Sequence, residues 1–187
     1  MFSLIDHIVH YDRWAVWFIS QQHTPWLDQL MYNISTFSFW LPLYLTIAVL
    51  LYMMYGKKCF RMFMAIGLVL GLVSILGSEI IKPIVGRPRP TYCSKLRPML
   101  NLVVKPNGHL YFGGHDSYPS GHAANAFALI MLSFYYLKQK MVAKRFFLAF
   151  GILYVLTVSF SRIYLCVHFP TDIVGGWLLA GIVRSEE

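Results

Sequence analysis

Residues 29–56 read QLMYNISTFSFWLPLYLTIAVLLYMMYG, and beyond the basic turn KKCFR at 57–61, residues 62–81 read MFMAIGLVLGLVSILGSEII. The first run carries no charge, and the second carries only Glu79, near its end. A helix that crosses a bilayer needs ~20 predominantly apolar residues, with a range of about 17–25. Two such runs joined by a short basic turn read as a membrane hairpin, with spans at 34–55 and 60–81. Further uncharged stretches lie at 117–137, 146–161 and 173–183. They predict spans at 120–137, 145–164 and 170–185, the last reaching full length only if Arg184 extends its side chain to the interface.

Composition agrees with this reading. Of the 187 residues 57% are hydrophobic and 13% charged, against about 25% charged in an ordinary soluble domain. That excludes a disordered chain, a coiled coil and a secreted disulfide scaffold. The fold class is therefore all-α, a polytopic membrane helical bundle of five to six spans. It reads as a single domain over 1–187, with an interfacial N-terminal segment at 1–33, the bundle at 34–187 and an outer loop at 82–119. Within the first segment, residues 3–22 mix Asp6, His7, His10, Asp12 and Arg13 with Trp14, Trp17 and Phe18. This is the pattern of an amphipathic helix lying in the interface. The N-terminus lacks the charged-then-apolar order of a cleaved signal peptide.

Charge sets the orientation. Lys57, Lys58 and Arg61 form one compact basic turn, and Lys138, Lys140, Lys144 and Arg145 form another. Both are expected on the cytoplasmic side. The 82–119 loop then faces outward, yet it carries Lys82, Arg87, Arg89, Lys95, Arg97 and Lys105. The positive-inside rule does not explain these cations, so a function does. With a net charge of +8, the expected partners are the lipid bilayer and an anionic lipid, and not nucleic acid.

Three polar clusters fall at the outer ends of the predicted spans: Lys82 to Pro90, Pro119-Ser120-Gly121-His122, and Ser161-Arg162 with His168 to Asp172. Ser120 stands where a helix N-cap belongs, and the N–H groups of Gly121 and His122 would face an anion there. Lys82, Arg89 and Arg162 can neutralise a phosphate, the arginines bidentately. Pro170 can open a helix with Asp172 in its first turn, close enough to accept from one ring nitrogen of His168. The other ring nitrogen is then free as a nucleophile, and His122 is left as a general acid. Glu79 reads as an ion-pair partner of Lys82. Arg87 is equally a fourth phosphate contact or a solvated loop charge.

Lys-x6-Arg-Pro, Pro-Ser-Gly-His and Ser-Arg-x5-His-x3-Asp, in this order over 82–172, resemble the tripartite signature of the phosphatidic acid phosphatase type 2 family. The resemblance implies a helical-bundle, metal-independent lipid phosphatase that works through a phosphohistidine. It gives His168 the nucleophile's place, Asp172 that of its orienting partner and His122 that of the general acid. Lys82, Arg89, Ser120, Gly121 and Arg162 become the phosphate cradle. No cofactor and no metal site are expected. Family members usually show six spans, which puts the N-terminal third in question here. Undecaprenyl diphosphate is the favoured substrate, with phosphatidylglycerophosphate, phosphatidic acid and a lipid A phosphate as alternatives. A lipid phosphotransferase and a non-catalytic lipid-binding or transport protein stand as other readings, as does vanadate-dependent haloperoxidase chemistry. The expected location is a bacterial inner membrane, with the site on its periplasmic face. Cys93 and Cys166 both fall on the outer side, where disulfides persist; their pairing is left open by the sequence.

Overall fold

The computed structural model describes residues 4–137 and 144–185. The basic cluster predicted between spans three and four lies mostly outside these residues. Eight α-helices follow in order: α1 (Leu4–Ser20), α2 (Pro25–Ile34), α3 (Leu41–Tyr55), α4 (Cys59–Ile75), α5 (Lys82–Val85), α6 (Gly121–Leu137), α7 (Lys144–Tyr164) and α8 (Pro170–Ser185). Among the described residues there is no β-strand, only the isolated bridges Pro88–Asp116 and Val104–Leu110. The architecture is helical, as the apolar runs require. Ser38–Val85 and Lys144–Tyr164 are long and apolar enough to cross a membrane, and Pro170–Val183 is a shorter apolar helix. With 21 residues, α7 spans about 31 Å, the thickness of a bilayer's hydrocarbon core.

The first predicted span starts later than its uncharged run suggests. Ser38–Trp40 form a 3-10 turn, and α3 begins at Leu41 with Pro42 in its first turn. Proline is favoured there because the first N–H groups of a helix have no intrahelical partner. The residues ahead of it fold instead into α2, which the charge pattern did not signal. The chain reverses after α3 at Gly56, whose φ of +56° lies in the left-handed region that glycine reaches without strain. The second predicted span runs past its expected end: α4 widens into a π turn over Leu76–Ile81 and continues as α5 to Val85. Pro83 has no N–H to donate, and the wide turn precedes it directly.

The core surrounds α6. Val69 and Val73 of α4, Ala124, Ala128 and Leu132 of α6 and Ala180 of α8 are buried in one cluster, and Ile130 of α6 packs with Tyr154 and Val158 of α7 in another. Small residues set how closely these helices approach. A Cβ at Gly176 of α8 would stand 2.5 Å from the Ser120 carbonyl oxygen and 3.2 Å from the Ala124 nitrogen. Neither atom is the end of a flexible side chain. Gly176→Ala is therefore expected to force α6 and α8 apart at the level of Ser120, destabilising the protein by about 1–3 kcal/mol. Thermal unfolding in detergent micelles would show this as a lowered Tm.

α1 lies against the bundle through Asp12, Val16 and Ser20, which are buried. Tyr11, Trp14 and Phe18 are exposed on its other side, and Trp14 stacks on Phe18 at 5.3 Å. This two-faced pattern is the amphipathicity read from residues 3–22. Cys59, Cys93 and Cys166 are all free thiols, so Cys93 and Cys166 are not bridged.

Candidate active site

Three hydrogen-bonded seams draw the polar clusters together. In the first, the segment after α5 pairs with the segment before α6: Arg89 N donates to His115 O at 3.0 Å and Ser117 N to Arg87 O at 2.8 Å. This carries Lys82 and Arg89 to the start of α6. In the second, Ser120 N donates to Asp172 O at 2.9 Å, tying the N-termini of α6 and α8 together. The third closes the end of α7. Cys166 adopts a left-handed φ of +55°, its N–H bonds Ile163 O at 2.9 Å, and Val167 N bonds Arg162 O at 3.2 Å. This is a Schellman cap, here with a cysteine where glycine is usual. His168 N also donates to Arg162 O, at 3.3 Å, so the turn that ends α7 fixes His168 beside Arg162.

His168 is 1% exposed, Asp172 0% and Arg162 2%. Ionisable groups are almost never this deep unless paired or functional. The His168 Nδ1 lies 3.5 Å from Asp172 Oδ2, next to it but beyond a normal hydrogen bond. The Asp172 carboxylate is engaged elsewhere: Oδ2 accepts from Phe169 N at 2.7 Å and Oδ1 from Arg87 Nη1 at 2.8 Å. Burial, and then Arg162, Arg89 and Lys82, hold the imidazole of His168 well below its ordinary pKa. At neutral pH it is uncharged, with a lone pair available.

Among the described residues Lys82, Arg89 and Arg162 form no ion pair with a carboxylate. Arg89 is buried, its Nε donating to Asp116 O at 3.1 Å. Burial and then Arg162 pull its pKa below the ordinary value. Lys82 is half-buried and interacts electrostatically with Arg89 and Arg162. Arg162 donates through Nη1 to Ser35 Oγ and, at 3.1 Å, to Tyr111 Oη. Ser120 accepts Ala124 N–H at its carbonyl, as an N-cap does, but its hydroxyl bonds nothing among the described residues. Five buried side-chain polar atoms lack a partner there, and three of them are Ser120 Oγ, Arg162 Nε and His168 Nδ1. Unpaired buried polar atoms are rare, and the Ser120 hydroxyl and Arg162 Nε are donors that an anion would satisfy.

His122, in the first turn of α6, lines an apolar cavity of about 470 Å³. Trp40, Ile47, Phe63, Ile66, Leu129 and Tyr154 form much of its wall, and Asn125 adds a polar group. His122 is thus exposed to the cavity rather than packed in the core.

Two sequence expectations are corrected. Glu79 is exposed and forms no ion pair with Lys82 among the described residues. The π turn over 76–81 changes the angular spacing that an α-helix would give these two residues. Arg87 is not a solvated charge: it bridges Asp172 and Asp12, the latter at 2.6 Å, with its guanidinium over the Phe169 ring at 4.1 Å. Sequence reasoning also missed Asp12, Ser35, Tyr111 and Gly113. Burial would raise the Tyr111 phenol, but Arg162, Ser35 and Arg89 together hold it below its ordinary pKa. At Gly113, a Cβ would fall 1.8 Å from Arg89 Nη1, so the missing side chain makes room for the guanidinium. Gly113→Ala is expected to displace Arg89, lowering kcat/KM about tenfold and Tm by a few degrees at most, since a side chain and its bond to Asp116 O give way and no backbone has to move. Steady-state kinetics beside thermal unfolding would check this.

A helical membrane bundle that gathers three cations beside a buried histidine at one end of its helices is suited to a phosphate group. The chain belongs to the PAP2 superfamily, whose family model matches residues 62–184, and it is a lipid phosphatase. It is 30% identical over 95% of its length to the lipid A 4'-phosphatase of Bacteroides thetaiotaomicron, covering 76% of that protein. It is 30% identical over 83% of its length to the phosphatidylglycerophosphatase B of Bacillus subtilis, covering 70% of it. Among solved structures, the transmembrane PAP2-type phosphatidylglycerolphosphate phosphatase from Bacillus subtilis superposes with a TM-score of 0.71 at 25% identity, over 97% of this chain and 86% of that one. Aquifex aeolicus LpxE shares the fold, with a TM-score of 0.62 at 24% identity, over 99% and 94% of the two chains.

Proposed function

We propose that this chain removes a phosphate group from an anionic membrane lipid through a phosphohistidine formed at His168. The observation that carries the reading is the buried imidazole of His168 beside Asp172, close to three cations, with the Ser120 hydroxyl and Arg162 Nε left without partners among the described residues. In this reading His168 attacks phosphorus in line with the leaving oxygen. Lys82, Arg89 and Arg162 stabilise the negative charge on the equatorial oxygens, aided by the Ser120 hydroxyl and the N–H groups of Gly121 and His122. Asp172 stabilises the positive charge that the imidazole gains. His122, at the mouth of the apolar cavity, protonates the leaving oxygen of the lipid. Water then cleaves the phosphohistidine and releases inorganic phosphate. No metal takes part.

A lipid A-type phosphate monoester is the first substrate reading, because two relatives matched over nearly the whole chain carry the name lipid A 4'-phosphatase. Undecaprenyl diphosphate is the second, favoured by the apolar cavity that His122 lines, which suits a long chain. The site is assigned to the periplasmic face of a bacterial inner membrane. Supporting this, exposed Lys57, Lys58 and Arg61 follow Tyr55, whose hydroxyl bonds Tyr136 O at 2.6 Å, at the end of α6 remote from His122.

Phosphate release in EDTA from lipid A, undecaprenyl diphosphate, phosphatidylglycerophosphate and phosphatidic acid tests the reading. Release from lipid A at the highest kcat/KM is expected. Release from none, or only after magnesium is restored, would contradict it.

A further inference from the structure

The reaction as described leaves one buried carboxylate unused. Asp12 lies midway along α1, 3% exposed, on the face it shares with Val16 and Ser20. A carboxylate on the docking face of an amphipathic helix is costly unless paired and hydrogen-bonded. Its partners come from both halves of the site. Oδ2 accepts from Arg87 Nη2 at 2.6 Å and from the Thr171 hydroxyl, and Oδ1 accepts from Thr171 N at 3.1 Å. Asp12 therefore caps the first turn of α8, in which Asp172 sits, and holds one arm of Arg87.

Arg87 uses its other arm on Asp172 Oδ1 at 2.8 Å and on Thr171 Oγ1 at 2.7 Å. The guanidinium plane is fixed further by Phe169, 4.1 Å from its ring centroid. The chain of contacts thus runs Asp12, Arg87, Asp172, His168, from a helix at the N-terminus to the imidazole. We propose that Asp12 is a positioning residue for the His168–Asp172 pair, acting through Arg87. With Asp12 in place, Arg87 is divided between two carboxylates, and Asp172 Oδ2 is left for Phe169 N–H and His168. Without it, both arms of the fork are free for Asp172, and a bidentate pair turns Oδ2 away from the imidazole. Displacing a catalytic group by about 1 Å costs up to ~100-fold in rate. The outer face of the same helix bears Tyr11, Trp14 and Phe18, exposed as lipid-facing groups would be.

The inference rests on the reading of His168 and Asp172 as nucleophile and partner, and the test separates the two. The full-length protein in micelles is assayed for phosphate release from the best lipid of the panel above. Asp12→Asn is expected to lower kcat about 10- to 100-fold, with KM within about twofold, because Asp12 touches no substrate. Asp12→Glu restores most of the loss. Val16→Ala, on the same buried face of α1, lowers Tm but leaves kcat near wild type. Wild-type kcat in Asp12→Asn would overturn the proposal, as would an Asp12→Glu no better than Asp12→Asn. So would a loss that Val16→Ala reproduces at an equal fall in Tm. Should Asp12→Asn not fold, Arg87→Lys is read in its place: it keeps the charge but cannot fork between two carboxylates, and wild-type kcat there overturns the proposal equally. If the wild type releases no phosphate from any lipid, the phosphatase reading fails. The positioning claim is then read from the imidazole 15N shifts of His168, assigned by their loss in His168→Ala. They move in Asp12→Asn if Asp12 positions the pair, and unmoved shifts overturn it.

Discussion

His168→Ala is expected to lower phosphate release by at least about 10^4-fold, as removal of a covalent nucleophile does elsewhere. KM for the lipid should change little, because the three cations and the apolar cavity remain. The protein should still fold, for the geometry around His168 is held by main-chain bonds. Arg162 O accepts from both Val167 N and His168 N, and Asp172 keeps Phe169 N and Arg87 whatever side chain stands at 168. Loss of activity with unchanged circular dichroism and a Tm within a few degrees of wild type is the expected result. A variant that retained a tenth of the activity would place the nucleophile elsewhere.

The second large effect is expected at Arg162. It is 2% exposed, stands beside Arg89 and Lys82, and keeps Nε without a partner among the described residues while Nη1 serves Ser35 and Tyr111. A charged donor aimed at developing charge in a water-poor site contributes about 10²- to 10³-fold in kcat. Arg162→Ala should lose that amount and weaken competitive inhibition by inorganic phosphate as well. Arg162→Lys should recover only part, since an ammonium supplies the charge but not a planar set of N–H groups for Ser35, Tyr111 and a phosphate together. Kinetics at several phosphate concentrations, with Tm as the control, would check both variants. Full recovery by lysine would mean that charge alone matters at this position.

Most of the helix plan was open to reading because lipid and water impose different residues. The uncharged runs behind 120–137, 145–164 and 170–185 correspond to α6, α7 and α8 with ends shifted by about a residue. Where the signal was local and polar the reading slipped. Pro42 starts α3 later than the uncharged run does, and the π turn before Pro83 changes the angular relation of Glu79 and Lys82. The cluster around His168 was legible because each of its segments carries its own short pattern of types. Its supports were not. Asp12 meets Arg87 across 75 residues of sequence, and Ser35 meets Arg162 across 127. Such pairs are made by tertiary packing, and a single aspartate in an interfacial helix reads as a wet residue until the helix is seen to press it inward. A clue did exist: Asp12, Val16 and Ser20 follow i, i+4, i+8 and so share one face, opposite the aromatic stripe of Tyr11, Trp14 and Phe18.

The central claim is a covalent bond between phosphorus and His168. Wild-type protein mixed with saturating lipid carrying labelled phosphate, quenched within milliseconds into alkali and digested, tests it most directly. Phosphohistidine survives alkali and is hydrolysed by acid, so the account predicts alkali-stable, acid-labile label on the peptide that contains His168, and none in His168→Ala. Turnover of the lipid with label on another residue, or with no labelled peptide at any quench time, would contradict it.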